Sequence, residues 1–386
     1  MTSAWSLEKI YFNSPVYFSD LCKKIETAKS TVKMEFYIFA LDSVGLGLLE
    51  SLKIAAAHGV RVRLVIDGIG SPEWTRKKIL ELRKQKVFVR IYHPPSRMLS
   101  LAGEFLTKLN FARFSLFMGR MNQRNHRKLC LIDGETAWIG SMNVTQAHAL
   151  WRETAVEIAG PCVPIIGASF DWVWCRSQGL LSDSRGIKRW LTIRERTRFK
   201  LPQDIQSFSM VRLNLTPHLR RKNRARMLVD FLRTRKRLWL MNAYFIPLLS
   251  IIRALRIAVR CGVDVRLMVL QKSDVGFMTF AIEAFYPTLL KAGIRIFEYR
   301  PTMLHSKVTL LDKKALVGSS NLNHRSLIHD YELDVELRKP ESLQTIEKQF
   351  LLDAEQSVEV TFETIRGFHW FKRIVGSLVL LMRYWI

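Results

Sequence analysis

Two kinds of apolar run alternate along this chain. TVKMEFYIFA (31–40) and LWLMNAYFIP (238–247) are rich in β-branched and aromatic residues and read as buried strands. LGLLESLKIAAA (46–57) and LLSIIRALRIAV (248–259) carry apolar residues at helical spacing. HGVRVRLVIDGIGS (58–71) and CGVDVRLMVLQKSD (261–274) each open on Gly-Val, run through an alternating apolar strand and close on a polar turn. Strand, helix, strand, helix and a hairpin therefore occur twice in the same order. That alternation predicts an α/β fold: two similar α/β/α sandwich domains with mixed, mostly parallel sheets. A duplicated fold packs about a pseudo-two-fold axis, which brings equivalent ends face to face and places the active site at the interface.

The apolar patterning breaks between about Ser177 and Ser209, where SQGLLSDSRG and the basic RERTRFK intervene. The expected domains are 1–190 and 205–386, the second ending in an amphipathic C-terminal segment.

Each half carries one copy of a short constellation. His126, Lys128, Asp133, Gly140, Ser141 and Asn143 lie in NHRKLCLIDGETAWIGSMN, and His305, Lys307, Asp312, Gly318, Ser319 and Asn321 lie in LHSKVTLLDKKALVGSSN. His and Lys two apart in an extended run project from one face of a strand. Asp133-Gly134 signals the turn of a hairpin. Lys128 and Lys307 offer positive charge to non-bridging phosphoryl oxygens. Asn143 and Asn321, with the Ser141 and Ser319 hydroxyls, offer neutral donors to the same oxygens, as an oxyanion site does. Histidine titrates near working pH, so one copy can attack phosphorus while the other protonates a leaving group. The second ring nitrogen of each needs an orienting partner, and Glu153 and Glu332, ten and eleven residues beyond each Asn, are the candidates. The pattern points to a phosphodiester-processing enzyme.

Charge narrows the partner. Sixty Lys and Arg against 34 Asp and Glu give a net charge of +26, an excess that calls for a polyanion, either nucleic acid or an anionic membrane. The five cysteines show no metal-ligand spacing and read as buried thiols of a reducing compartment. The opening MTSAWSLEKIYF lacks an apolar core behind positive charge, so no signal peptide is expected. No apolar run reaches the ~18 residues of a spanning helix.

The doubled motif is the signature of the phospholipase D superfamily, and the wider chain resembles its cardiolipin synthase branch. FYIFALDSVGLGLLESL, DGIGSPEW, WRETAVEIAGP, AYFIP and GSSNLNHRS carry that likeness, with Glu153 where many members have Asp. The resemblance implies a transfer in two steps without metal or other cofactor. One His, His126 by the habit of the superfamily, takes a phosphatidyl group from phosphatidylglycerol, and His305 serves as acid and then base. A second lipid hydroxyl then displaces the histidine. The resemblance also makes Asp133 and Asp312 largely structural, so they rank below His, Lys and Asn among the catalytic candidates. One departure is Asn323, where the branch usually has Asp.

The superfamily also holds nucleases and hydrolases, which remain the alternative. Arg220 to Arg237 contains nine basic residues and one acid, a stripe that suits a phosphate backbone, an anionic headgroup layer or plain solvent. Two further segments favour lipid. Phe105, Leu109, Phe111, Phe114 and Phe117 lie among Lys108, Arg113 and Arg120. The C-terminal GFHWFKRIVGSLVLLMRYWI joins Trp370, Tyr384 and Trp385 to an uncharged run with basic flanks, which suits an interface. The expected partners are an anionic phospholipid membrane and its phospholipids, with no obligatory nucleic acid. The expected location is peripheral, on the cytoplasmic face of the cell membrane. Oligomeric state stays open, since a monomer can hold a complete site.

Overall fold

The computed structural model describes residues 5–94, 123–177, 201 and 210–366. The first half builds a seven-stranded sheet from β1 (Leu7–Tyr11), β2 (Thr31–Phe36), β3 (Arg61–Asp67), β4 (Val87–Tyr92), β5 (Leu129–Ile132), β6 (Thr136–Gly140) and β7 (Ala155–Ala159), in the order β1-β7-β6-β5-β2-β3-β4. The second builds an eight-stranded sheet from β8 (Val211–Leu213), β9 (Arg237–Asn242), β10 (Asp264–Leu270), β11 (Arg295–Tyr299), β12 (Lys307–Leu311), β13 (Lys314–Gly318), β14 (Leu333–Leu337) and β15 (Ser357–Val360), in the order β15-β11-β10-β9-β12-β13-β14-β8. Apart from β15, the two orders superpose strand for strand, with β8 in the place of β1.

Both sheets are mixed, as the pattern predicts, but they are not mostly parallel. Only β2, β3 and β4, and their counterparts β9, β10 and β11, run parallel; every other pairing is antiparallel. Helical crossovers make the parallel triplets. The motif hairpins β5-β6 and β12-β13, and the strands β7 and β14 that return beside them, can join only antiparallel.

Helices cover these sheets: α1 (Ser14–Glu26), α2 (Ser43–Ala57), α3 (Arg76–Lys84) and α4 (Val163–Arg176) in the first half, then α5 (Pro217–Arg233), α6 (Leu249–Arg260), α7 (Gly276–Glu283), α8 (Tyr286–Lys291), α9 (His324–Ile328), α10 (Pro340–Glu355) and α11 (Phe362–Arg366) in the second. Local chemistry starts several of them. Asn13, Asp42 and Thr216 accept backbone N–H bonds at the first turns of α1, α2 and α5. Asn323 caps α9 the same way, accepting from Ser326 N at 2.9 Å, so the neutral side chain does what a carboxylate would do there.

One core cluster runs across both halves, joining Leu129, Ile139 and Val156 to Leu310, Val317 and Val335. Polar links also cross the seam. Trp5 Nε1 donates to the Glu336 carbonyl at 2.9 Å, and Arg152 forms a buried ion pair with Asp353 at 2.8 Å. Of the cysteines, Cys130, Cys162 and Cys175 are buried, but Cys261 is exposed where α6 ends, which corrects the reading of all five as buried thiols. Among the described residues no helix is long and apolar enough to cross a membrane. The expected linker from Ser177 to Ser209, the Phe-rich segment around Phe105 to Arg120 and the C-terminal segment from Gly367 lie almost wholly outside the described residues.

Candidate active site

His126 and His305 each leave a segment that crosses to the opposite half. Backbone bonds tie His126 N to the Tyr331 carbonyl (3.0 Å) and Tyr331 N to the Arg124 carbonyl (2.8 Å). The matching pair ties His305 N to the Arg152 carbonyl and Arg152 N to the Met303 carbonyl, both at 2.9 Å. Each histidine is thereby laid beside the glutamate of the other half. His126 Nδ1 lies 3.2 Å from both Glu332 oxygens, and His305 Nδ1 lies 2.8 Å from Glu153 Oε1. Both glutamates are fully buried. Thr154 and Ser306, which follow Glu153 and His305 in the chain, share a hydrogen bond of 2.6 Å across the same seam.

A carboxylate on Nδ1 fixes the tautomer: the proton stays on Nδ1 and the Nε2 lone pair is left for chemistry. Burial, with the lysines nearby, lowers both imidazoles, His126 well below its ordinary value and His305 to about 3, so they rest neutral. The acids differ. Burial works against charge on Glu153, but the bond that His305 Nδ1–H donates, together with Lys307, outweighs it and holds the carboxyl down at about 2. Burial prevails at Glu332 and pushes it up to about 7, even though Ser319 and Ser326 donate to it.

Lys128 and Lys307 bend back so that each Nζ donates to the carbonyl of its own histidine two residues earlier. Burial lowers both; Lys128 falls to about 8, with Glu332 and Glu153 pulling the other way. The side-chain oxygens of Asn143 and Asn321 are buried and have no hydrogen-bond partner, so neither amide oxygen is committed to the fold. Both lysines lie within electrostatic reach of both histidines.

The serines and aspartates do not join them. Ser141 Oγ donates to the Thr154 carbonyl and accepts from Thr154 N, closing the end of β6 on β7. Ser319 Oγ donates to Glu332 and accepts from Leu333 N. Both hydroxyls hold the strands that carry the acids. Asp133 and Asp312 sit at the far ends of β5 and β12 from Lys128 and Lys307. Asp133 accepts from the backbone N–H of Lys29, Ser30 and Thr31, and Asp312 from that of Arg235, Lys236 and Arg237. They pin each hairpin turn to the start of β2 or β9.

Aromatic and charged neighbours that the motifs did not announce complete the chamber. The Tyr37 ring lies 5.1 Å from that of His126, while Trp151 lies 5.4 Å and Tyr244 6.3 Å from His305. Arg325, paired with Asp330 at 3.1 Å, adds to the charge that depresses His126. A signal for the tyrosines was present: FYIFA and AYFIP put Tyr37 and Tyr244 just beyond the ends of the equivalent strands β2 and β9. Of the basic run, Arg220 is buried with Nε on the Asn214 carbonyl, Asp230 pairs with Arg212 and Lys314, and Arg221, Arg233, Arg235 and Lys236 remain exposed. Among the described residues no group of three or more His, Cys, Asp or Glu is placed to hold a metal ion.

The family model for the cardiolipin synthase, PLD-like domain matches residues 21–174 and 228–353. A probable cardiolipin synthase of Bacillus subtilis (strain 168), YwiE, is 26% identical over 364 residues, covering 92% of this chain and 67% of that protein. A cardiolipin synthase of Halalkalibacterium halodurans is 27% identical over 395 residues, covering 96% and 73%. The crystal structure of phosphatidylserine synthase from Haemophilus influenzae Rd KW20 superposes with a TM-score of 0.72 at 12% identity over 98% of this chain and 93% of that one, a likeness of fold. The chain belongs to the cardiolipin synthase, PLD-like family, and is an enzyme of the phospholipase D superfamily.

Proposed function

We propose that this enzyme is a phosphatidyltransferase that makes cardiolipin from phosphatidylglycerol and a second phospholipid through a phosphatidyl-histidine intermediate. The crossed His-Glu pairs around one lysine-lined chamber carry this reading. In the first step the His126 Nε2 lone pair forms a bond to phosphorus, the bond to the glycerol oxygen breaks, and His305 gives that oxygen a proton. In the second, the hydroxyl of another phospholipid gives its proton to His305 and bonds to phosphorus, and His126 leaves with its electron pair restored. Lys128, Lys307, Asn143 and Asn321 hold the non-bridging oxygens.

The roles follow from the acids. An ionised Glu153 at 2.8 Å supports positive charge on His305 once an anionic phosphate offsets the lysines, which suits proton transfer. Glu332, pushed up to about 7, gives His126 less reason to become a cation, which suits a nucleophile. Domains 1–190 and 205–386 would each supply one His and one Glu, with no cofactor. The +26 charge suits a peripheral position on anionic lipid at the cytoplasmic face.

Labelled phosphatidylglycerol vesicles, with and without phosphatidylethanolamine, test the assignment by product identification. The expected product is cardiolipin, and acid quenching should leave label on wild-type protein and none on His126→Ala. Degradation of DNA or RNA with phosphatidylglycerol untouched sinks the lipid reading in favour of a nuclease, and release of phosphatidic acid alone makes the enzyme a hydrolase.

A further inference from the structure

The two sides of the chamber differ chemically although the repeat makes them equivalent in backbone. Beside His126 stand Tyr37, Arg325 and Asp330. Beside His305 stand Trp151 and Tyr244, with His148 stacked flat on Trp151 at 3.4 Å between ring centroids. Tyr244 Oη donates to Asp274 Oδ1 at 2.6 Å, and Ser273 Oγ donates to the same oxygen at 3.3 Å, leaving Oδ2 open on an exposed residue. The Asp274 charge reaches both His148 and Lys307. His148 Nδ1 is buried without a hydrogen-bond partner. Ser71 occupies the position that matches Asp274 in the repeat, and its hydroxyl is bound to the backbone of Tyr37 and Phe39.

In a displacement at phosphorus the alcohol leaves and enters opposite the nucleophile, next to the acid-base group. On the phosphatidyl-transfer reading above, that is the His305 side. A carboxylate oxygen and a tyrosine oxygen, one wall of flat aromatic surface and an unpartnered imidazole nitrogen are suited to a short chain bearing more than one hydroxyl. An ammonium group fits less well, because Lys128, Lys307 and Arg325 already load the chamber with positive charge. We propose that Tyr244, Asp274 and the Trp151–His148 stack form the alcohol subsite beside His305 and select acceptors with a second hydroxyl on the neighbouring carbon. The reacting hydroxyl gives its proton to His305 Nε2 while its oxygen bonds to phosphorus and the bond to His126 breaks. The second hydroxyl donates to Asp274 Oδ2.

The test uses the full chain with phosphatidylglycerol vesicles and equal concentrations of 1,2-propanediol and 1-propanol, reading the ratio of the two phosphatidyl products. Because both products form in one sample, the ratio does not depend on how much protein is folded. The diol should be preferred about tenfold or more by wild type, the size expected of one hydrogen bond to a charged group, and Asp274→Asn should bring the ratio close to one. An unchanged ratio in Asp274→Asn overturns the subsite. So does a preference for 2-aminoethanol over ethanol that Asp274→Asn removes while the diol shows none. No transfer to any alcohol by wild type overturns the transferase reading itself, and the subsite with it.

Discussion

Glu153 and Glu332 occupy matching positions in the two copies yet rest in different states, one ionised beside a close imidazole and the other near neutrality among hydroxyl donors. Glu153→Gln removes a charge that the reaction uses, so kcat should fall on the order of a hundredfold or more. Glu332→Gln removes a charge only partly present at neutral pH and should cost less. Steady-state kinetics on both variants at pH 7 checks the order, and equal losses would sink the division of roles between the histidines. Lys128 gives a pH signature. Its amine, lowered from 10.5 to about 8, is charged below that value and neutral above it, so kcat/KM for an anionic phosphodiester should fall as pH rises through about 8. In Lys128→Arg, whose guanidinium stays charged, that limb should vanish below pH 10 whatever the absolute rate. At this scale the sequence disclosed the paired histidines and lysines, because His-x-Lys spacing is a local fact. It did not disclose which acid meets which histidine, since those partners stand 206 and 152 residues apart.

Elements translate those contacts into a rigid frame. Asp133→Ala or Asp312→Ala strips three backbone N–H partners from the start of β2 or β9. The expected cost is about 1–2 kcal/mol of stability, seen as a lower Tm, with kcat retained by the folded fraction. A kcat lost without a change in Tm would restore these aspartates to the catalytic set. Gly318 makes a close approach: a Cβ there would stand 2.2 Å from Asp334 Oδ1 and 2.3 Å from the Leu333 carbonyl. Gly318→Ala should force β13 from β14 and lose both stability and the Glu332 placement, read by thermal unfolding and kcat together. The order of strands and helices was legible from alternating apolar periods. The direction of the hairpin strands was not, because period-two patterning is the same for parallel and antiparallel neighbours.

For the whole molecule, duplication was legible and the exchange across it was not. Segments 1–190 and 205–386 produced separately should each be inactive, since either would hold a histidine without its carboxylate. Activity on mixing would then track their association. Turnover by one segment alone would contradict the crossed pairing. The +26 charge predicts that binding to anionic vesicles falls steeply as ionic strength shortens the Debye length, as vesicle sedimentation across a salt series would show.

The exchange of acids has a consequence for the protein's own synthesis. The ribosome delivers the first half before the second, and an early domain folds as a unit while the rest is still being made. During that interval His126 lacks Glu332, and Glu153 has no imidazole to charge. A nascent chain touching a membrane therefore carries a histidine whose partner acid has not yet been made. Chemistry on lipid begins only when the last strands have docked, so the act of finishing the fold is also the act of switching it on.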